Sequence, residues 1–286
     1  MLVFGGSRST SLAWDVSKSL GCEIGKSEVR KFPDGETYVK LESKVSGVEC
    51  AVVQSVRSND DLVELMLMLD ALMDCNATQV HAVMPYLAYM RQDKRFTPGE
   101  ALSAKTVLKL IHELADSITT VNCHFLSAGG QSVYNHVGFM NLDAMPHLAR
   151  HIGEKVEKPI FIAPDKGSLG YAKAAAAILD CEFNHLQKKR LSGTEVMMKP
   201  KELEVKGFDV IILDDIISTG GTIIEAVKII RGWHPKSISI GCIHGLFLNG
   251  VDAFSGGVDR LVSTNTLENH AAKVNVAGLI GAHLRT

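Results

Sequence analysis

Residues 209–225, Asp-Val-Ile-Ile-Leu-Asp-Asp-Ile-Ile-Ser-Thr-Gly-Gly-Thr-Ile-Ile-Glu, set two carboxylates beside a turn of hydroxyls and glycines. Val210 to Leu213 reads as a buried strand ending in Asp214 and Asp215, and Ile223 through Ile230 has helical spacing. Between them lie Ser218, Thr219, Gly220, Gly221 and Thr222. Amide N–H groups and hydroxyls at such a turn can cradle a phosphate, with the positive end of a helix dipole behind them. Carboxylates repel phosphate, but they accept hydrogen bonds from sugar hydroxyls or hold a divalent cation. The implied ligand class is a phosphorylated sugar. A plainer alternative is a buried strand–helix unit whose polar residues only cap the helix, since Ser or Thr at an N-cap is common.

Other chemistry-bearing residues are spread along the chain. Phe32-Pro33-Asp34-Gly35-Glu36 carries a strong turn signal and is, on its own, a tight connection. The same residues would also make a purine pocket, with Phe32 stacking on the base and Asp34 or Glu36 accepting from its exocyclic amine. Arg91, Gln92 and Asp93 follow the strand candidate Val80 to Pro85, where open α/β sheets bind ligands. Arg91 and Gln92 suit a polyphosphate and a purine edge; a solvated loop is the other reading. His124 follows a strand at 118–122; a lone histidine is more often structural, yet a neutral imidazole there would ligate a divalent metal. Asp165 ends the strand at 160–163 and is a further candidate for metal or ribose contact. Lys188-Lys189-Arg190 is either a solvated charge run or a cationic clamp closing over an anionic transition state. No P-loop, G-x-S-x-G elbow or H-E-x-x-H motif occurs.

The elements that must position these residues alternate. Strands are expected near 2–5, 51–55, 80–85, 118–123, 159–163, 182–186, 209–214, 237–243 and 260–264, and helices near 10–20, 61–75, 103–115, 168–179 and 221–232. Such alternation predicts α/β domains with mostly parallel sheets flanked by helices. Residues 1–23 and 160–182 align without gaps, bringing Ser9 onto Ser168, Ala13 onto Ala172, Leu20 onto Leu179 and Cys22-Glu23 onto Cys181-Glu182. The echo predicts two related halves with a boundary near 141–158, taken here as domains 1–145 and 146–286. Residues 61–75 are apolar nearly all round, so a helix there needs cover on more than one face, from its own domain or from a second subunit.

Net charge is −2, which leaves no electrostatic footprint for nonspecific nucleic-acid binding. The scattered cysteines form no C-x-x-C pair, which argues against a zinc or disulfide framework and fits a reducing cytosol. The N-terminal residues do not read as a signal peptide, and no apolar run reaches membrane-spanning length. A soluble, cytoplasmic protein with no membrane or nucleic-acid partner is expected.

Taken in order, these blocks resemble the ribose-phosphate pyrophosphokinase family nearly end to end. Residues 209–225 alone resemble the ribose-phosphate loop of type I phosphoribosyltransferases. Lys31 to Glu36 is similar to the pyrophosphokinases' adenine-binding element, and Asn59 to Leu65 and Pro85 to Asp93 to their next two blocks. The resemblance implies two tandem phosphoribosyltransferase-like (type I) domains, with the last ~20 residues returning to the first. It implies transfer of the diphosphoryl group of ATP to the C1 hydroxyl of ribose 5-phosphate, with Mg²⁺ as cofactor. Lys188 and Arg190 fall on the family's catalytic loop, and Asp214 to Thr222 on its ribose 5-phosphate site. Phe32, Asp34, Glu36, Arg91, Gln92, Asp93 and His124 fall on its ATP site, and His124 and Asp165 near its metal. It also implies self-association, dimeric or higher, with Phe32, Asp34 and Glu36 completing a neighbour's ATP site. The chain departs from the usual family pattern at Asn122-Cys123, at Lys166-Gly167-Ser168 with Tyr171, at Ser218 and over 96–101. These departures bear on allosteric control by phosphate and ADP more than on catalysis. A non-catalytic regulatory relative and a nucleobase phosphoribosyltransferase are the alternatives. The first would have lost its loop cations or acidic pair, and the second would not need the Phe-Pro-Asp-Gly-Glu element.

Overall fold

A computed structural model describes residues 1–186 and 205–286, together with the backbone of strands 187–190 and 196–199. The chain divides into two units, one of residues 1–143, 266–268 and 275–286, the other of 144–265 and 269–274.

Unit 1 contains β1 (Leu2–Gly5), α1 (Thr10–Leu20), β2 (Glu23–Ile24), β3 (Ser27–Lys31), β4 (Thr37–Leu41), β5 (Glu49–Val53) and α2 (Asn59–Asp74). It continues through β6 (Gln79–Met84), α3 (Ser103–His112), β7 (Ser117–Val121), β8 (Gly130–Tyr134) and β9 (Val137–Leu142). Its main sheet has the order β2-β1-β5-β6-β7-β9-β8, parallel except for the last pair. β3 and β4 form a separate antiparallel hairpin. The strands are continuous apolar runs because helices cover a parallel sheet on both faces; Val52, Ala82 and Met84 are fully buried beside Leu65, Met68 and Leu69 of α2.

Unit 2 begins with α4 (Met145–Gly153), β10 (Pro159–Ala163), α5 (Leu169–Leu179) and β11 (Glu182–His185). The ribbon of β12 (Gln187–Arg190) and β13 (Val196–Lys199) comes next, then β14 (Asp209–Ile217), α6 (Gly221–Arg231), β15 (Ser237–Gly245), β16 (Arg260–Thr264) and β17 (Ala272–Val274). Its sheet, β11-β10-β14-β15-β16-β17, is parallel throughout. The final helix, α7 (Ala277–Leu284), belongs to unit 1 and packs on α1. Gly281 permits that approach, since a Cβ there would lie 2.5 Å from Ser19 Oγ.

The internal echo has a structural counterpart. The shift that superposes Ser9 on Ser168 carries α1 onto α5 residue for residue, each of 11 residues. In both units the first strand sits between the second and a later one, so the direction of winding reverses between β1 and β5 and between β10 and β14. Ligands of open α/β sheets bind outside the carboxyl ends of the strands at such a reversal.

Several expectations need correction. The strand expected to stop at Asp214 runs on to Ile217, because Ile216 and Ile217 stay paired with His244 and Gly245 of β15. The turn signal at 32–36 does close a tight connection, but the two strands it joins, β3 and β4, were not expected. The β8–β9 hairpin was not expected either; it turns on Asn135 and His136 at φ 47° and 69°, without the Asn-Gly pair that signals such a turn. α7 escaped notice because its Ala-Gly-Leu-Ile-Gly-Ala run has glycine-weakened helix propensity.

Candidate active site

In unit 2 the reversal lies between β10 and β14, which pair only from Pro159↔Asp209 to Phe161↔Ile211. Among the described residues, β14 beyond Ile211 pairs with β15 alone, so its last residues line the crevice where it parts from β10. Asp165 enters that crevice just after β10. Its Oδ1 accepts Gly167 N–H at 2.9 Å, Ser168 N–H at 3.1 Å and Ser168 Oγ at 3.4 Å. Its Oδ2 has no donor among the described residues, which suits a cation that takes few protein ligands. Ser168, at the N-cap of α5 and 4% exposed, also reaches Asp214 Oδ1 at 3.2 Å. A hydroxyl has one proton, so it donates to one carboxylate at a time, and a protonated Asp214 would donate to Ser168 Oγ in return.

Asp214 is the electrostatic centre of this cluster. Burial first, then the charge of Asp215 and, more weakly, that of Asp165, push its carboxyl up to about 7. Asp214 reaches Ser168 and also accepts Asp215 N–H on its Oδ1 at 3.0 Å, while Asp215 beside it is almost wholly buried. A cation or a set of sugar hydroxyls at this point would return Asp214 to its ionised form.

The turn 218–220 leads into α6 through Gly220 at φ +82°. No side chain caps α6, so its leading N–H groups, which have no helical partners, are available to an anion. Thr219, Gly221 and Thr222 are exposed at the mouth, while Gly220 is buried.

The corresponding reversal in unit 1 is filled by protein. Ser7 N–H and Oγ both donate to Glu64 at 2.6 Å, and Arg8 pairs with the buried Asp61 at 3.0 Å. A Cβ on Gly6 would meet Gln54 at 2.4 Å. Carboxylates and a packed amide occupy the place where unit 2 leaves an uncapped turn, so among the described residues the phosphate-type crevice stands in unit 2 and not in unit 1.

The remaining candidates of unit 1 stand elsewhere. Phe32, Asp34 and Glu36 are exposed at the tip of the β3–β4 hairpin. Asp34 Oδ1 accepts Glu36 N–H at 3.3 Å, Phe32 meets Tyr38 edge-on at 5.6 Å, and Arg30 lies over both rings. Lys31 ties the hairpin to Asp60 at the start of α2 at 2.5 Å. Arg91 is exposed after β6, and Gln92 Nε2 donates to Glu100 Oε2 at 3.1 Å. Backbone N–H groups of Phe96 and Thr97 hold that same Glu100 carboxyl below its usual range. Tyr134 OH donates to Asp93 O. His124 is exposed after β7, following Asn122, which holds φ 42° and donates to Asp143 Oδ1 at 2.8 Å. The side chains of Lys188 and Arg190 lie outside the described residues; their backbones pair in β12 with Met198 and Val196 of β13.

Within unit 2 the structure thus gathers Asp165, Asp214 and the 218–222 turn. Ser168 is the member that sequence reasoning missed as functional, although its alignment with Ser9 was the available signal. Among the described residues, no three His, Cys, Asp or Glu side chains gather into a metal cage, and no helix is long and apolar enough to cross a membrane.

Known proteins are similar to this chain along its whole length. The family model described as the N-terminal domain of ribose phosphate pyrophosphokinase matches residues 1–114, and the phosphoribosyl transferase domain model matches 141–252. A ribose-phosphate pyrophosphokinase of Methanothermobacter thermautotrophicus is 40% identical over 284 residues, covering 98% of each chain. Ribose-phosphate pyrophosphokinase 2 of Archaeoglobus fulgidus is 39% identical over 278 residues, 96% of this chain and 97% of the relative. The crystal structure of phosphoribosylpyrophosphate synthetase from Mycobacterium smegmatis superposes with a TM-score of 0.85 at 27% identity, covering 99% of this chain and 97% of that one.

Proposed function

The chain belongs to the ribose-phosphate pyrophosphokinase family, and from that premise we propose how its residues carry the reaction. The enzyme transfers the diphosphoryl group of ATP to the C1 hydroxyl of ribose 5-phosphate, giving AMP and 5-phosphoribosyl 1-diphosphate. Its two phosphoribosyltransferase-type domains serve nucleotide biosynthesis.

The observation that carries the residue assignment is the crevice at the β10/β14 reversal, where an uncapped helix start and two carboxylates stand together. The amides and hydroxyls of 218–222 take the 5-phosphate, and Asp214 and Asp215 accept from ribose hydroxyls. This fixes the sugar by both ends and presents C1, so that attack on the β-phosphorus is a matter of orientation. Phe32, Asp34, Glu36, Arg91, Gln92, Asp93 and His124 bind ATP, in keeping with the family resemblance of their blocks. Lys188 and Arg190 supply positive charge to the oxygens that become more anionic as the phosphoryl group moves. His124 and Asp165 are the proposed protein contacts of Mg²⁺, which when bound neutralises the oligophosphate. Asp165 Oδ2 fits that role because the opposite oxygen alone satisfies the local backbone.

Self-association belongs to this reading. α2 leaves Val63, Leu67 and Met73 exposed, apolar surface that a second copy would cover. In this reading the hairpin tip, whose Phe32, Asp34 and Glu36 are exposed, serves a neighbouring copy's ATP. The proposed location is the cytoplasm, where both substrates are at hand.

Purified protein with ATP, Mg²⁺ and ribose 5-phosphate should form AMP in proportion to the sugar. ATP breakdown that ignores the sugar would overturn the assignment. Chelation of Mg²⁺ should abolish turnover and its return restore it.

A further inference from the structure

The carbonyls of Ile217, Ser218 and Thr219, which lead into the phosphate turn, are held by one other segment of unit 2, while Gly220 O accepts Ile224 N–H within α6. Leu246 and Phe247 N–H groups donate to Ile217 O at 2.9 and 3.2 Å, and Leu248 N–H donates to Ser218 O at 3.0 Å. Asn249 Nδ2 donates to Thr219 O at 3.2 Å. Across a planar trans peptide, a carbonyl and the following N–H point in opposite directions. Holding the carbonyls of Ser218 and Thr219 therefore turns the N–H groups of Thr219 and Gly220 away from the 246–249 segment.

That segment is itself held in a costly shape. Phe247 has φ +43°, a region bulky side chains rarely enter and that persists only where the surroundings over-determine it. Its ring closes over Gly245, where a Cβ would lie 2.3 Å away, and meets Phe254 edge-on at 5.6 Å. Phe254 in turn closes over Gly220, again with a Cβ position only 2.3 Å off. Gly220 must be glycine on two counts, its positive φ and this ring. The two phenylalanines are 7% and 3% exposed, so they form a closed apolar stack under the turn.

We infer that residues 246–254 are a brace that aims the amides of the turn at the sugar phosphate, with Asn249 and Phe254 as positioning residues. The inference rests on the reading of 218–222 as the phosphate subsite. The brace contributes no group to the ligand; it sets the direction of groups that do. A merely structural role would lower stability without altering the choice between ribose 5-phosphate and ribose.

The test is steady-state kinetics of Asn249→Ala and Phe254→Leu, with Thr222→Ala in the turn itself as the reference. Asn249→Ala is expected to raise KM for ribose 5-phosphate about fivefold, the scale of one hydrogen bond. KM for ATP should stay unchanged, and the preference for ribose 5-phosphate over unphosphorylated ribose should fall by the same factor. Phe254→Leu, which keeps an apolar filler under Gly220, should give the same signature. If Thr222→Ala weakens the phosphorylated sugar and neither brace variant does, the brace is overturned and the subsite stands. If none of the three changes KM for ribose 5-phosphate, the subsite reading fails and the brace with it.

Discussion

Ser168 Oγ lies 3.2 Å from Asp214 Oδ1 and 3.4 Å from Asp165 Oδ1, so one hydroxyl joins the loop after β10 to the neighbouring strand β14. Its repeat counterpart does the same work without an acid: Ser9 Oγ accepts Ser55 N–H at 2.9 Å, fastening α1 beyond the end of β5. Both N-cap serines forgo capping their own helices and reach across the point where the sheet reverses. In unit 1 the reach ends on backbone and closes the site. In unit 2 it ends on a carboxylate and leaves the site open.

Ser168→Ala removes the hydroxyl that this loop offers to Asp214 and leaves a half-buried carboxyl with one partner fewer, Asp215 N–H remaining. Loss of a hydrogen bond to such a group costs about 1.5–3 kcal/mol. We expect kcat/KM for ribose 5-phosphate to fall ten- to a hundredfold, about the same energy, while KM for ATP holds. Unchanged kinetics with the sugar would show that Asp214 needs no help from Ser168.

The raised carboxyl of Asp214 has a consequence for stability. An unfolded aspartate titrates near 3.9, whereas burial and the charge of Asp215 push this one up to about 7 in the fold. Between those values the folded chain binds the extra proton, so stability falls as pH rises. The contribution is complete below the unfolded value and is lost as pH climbs through the folded one. Asp214→Asn keeps the shape and cannot ionise. Measured without ligands, the wild-type melting temperature should drop relative to Asp214→Asn between about pH 4 and about pH 7 and level off above that. A constant difference would mean that Asp214 titrates normally.

How far the site was readable follows from what kind of signal each residue leaves. The 209–225 stretch was legible because its order of residue types is rarely needed for packing alone. The fold class was legible because buried parallel strands are apolar runs, as in Val210 to Leu213 and Ile160 to Ala163. Ser168 was not, since a serine before a helix has an ordinary reason to be there. Asn249 and Phe254 act only through contacts with a turn 30 or more residues away, which no local pattern encodes. The extension of β14 to Ile217 depended likewise on β15, not on the strand's own sequence.

Lys188→Ala tests the catalytic loop. A preorganised positive charge that meets the transition state more closely than the ground state acts on kcat, and removing it should lower turnover by roughly 10²-fold or more. KM for ribose 5-phosphate should move little, because the sugar is held elsewhere. A rise in KM for ATP with kcat intact would recast Lys188 as a ground-state ATP contact.

If the hairpin tip serves a neighbour, activity must depend on pairs of chains. Val63 and Leu67 are 45% and 37% exposed, one helical turn apart on α2, so Leu67→Glu places a charge in the proposed contact. Light scattering should show smaller assemblies while circular dichroism stays unchanged. Complementation gives the sharper result. Phe32→Ala spoils only the hairpin tip, and Lys188→Ala spoils only the loop of its own chain. Each should be nearly inactive alone. In a mixed pair, the intact hairpin of one chain meets the intact loop of the other and rebuilds one working site. Co-expression should therefore restore roughly a quarter of wild-type activity, since about half of the pairs are mixed and one of two sites works in each. If mixed assemblies form and no activity returns, Phe32 acts within its own subunit.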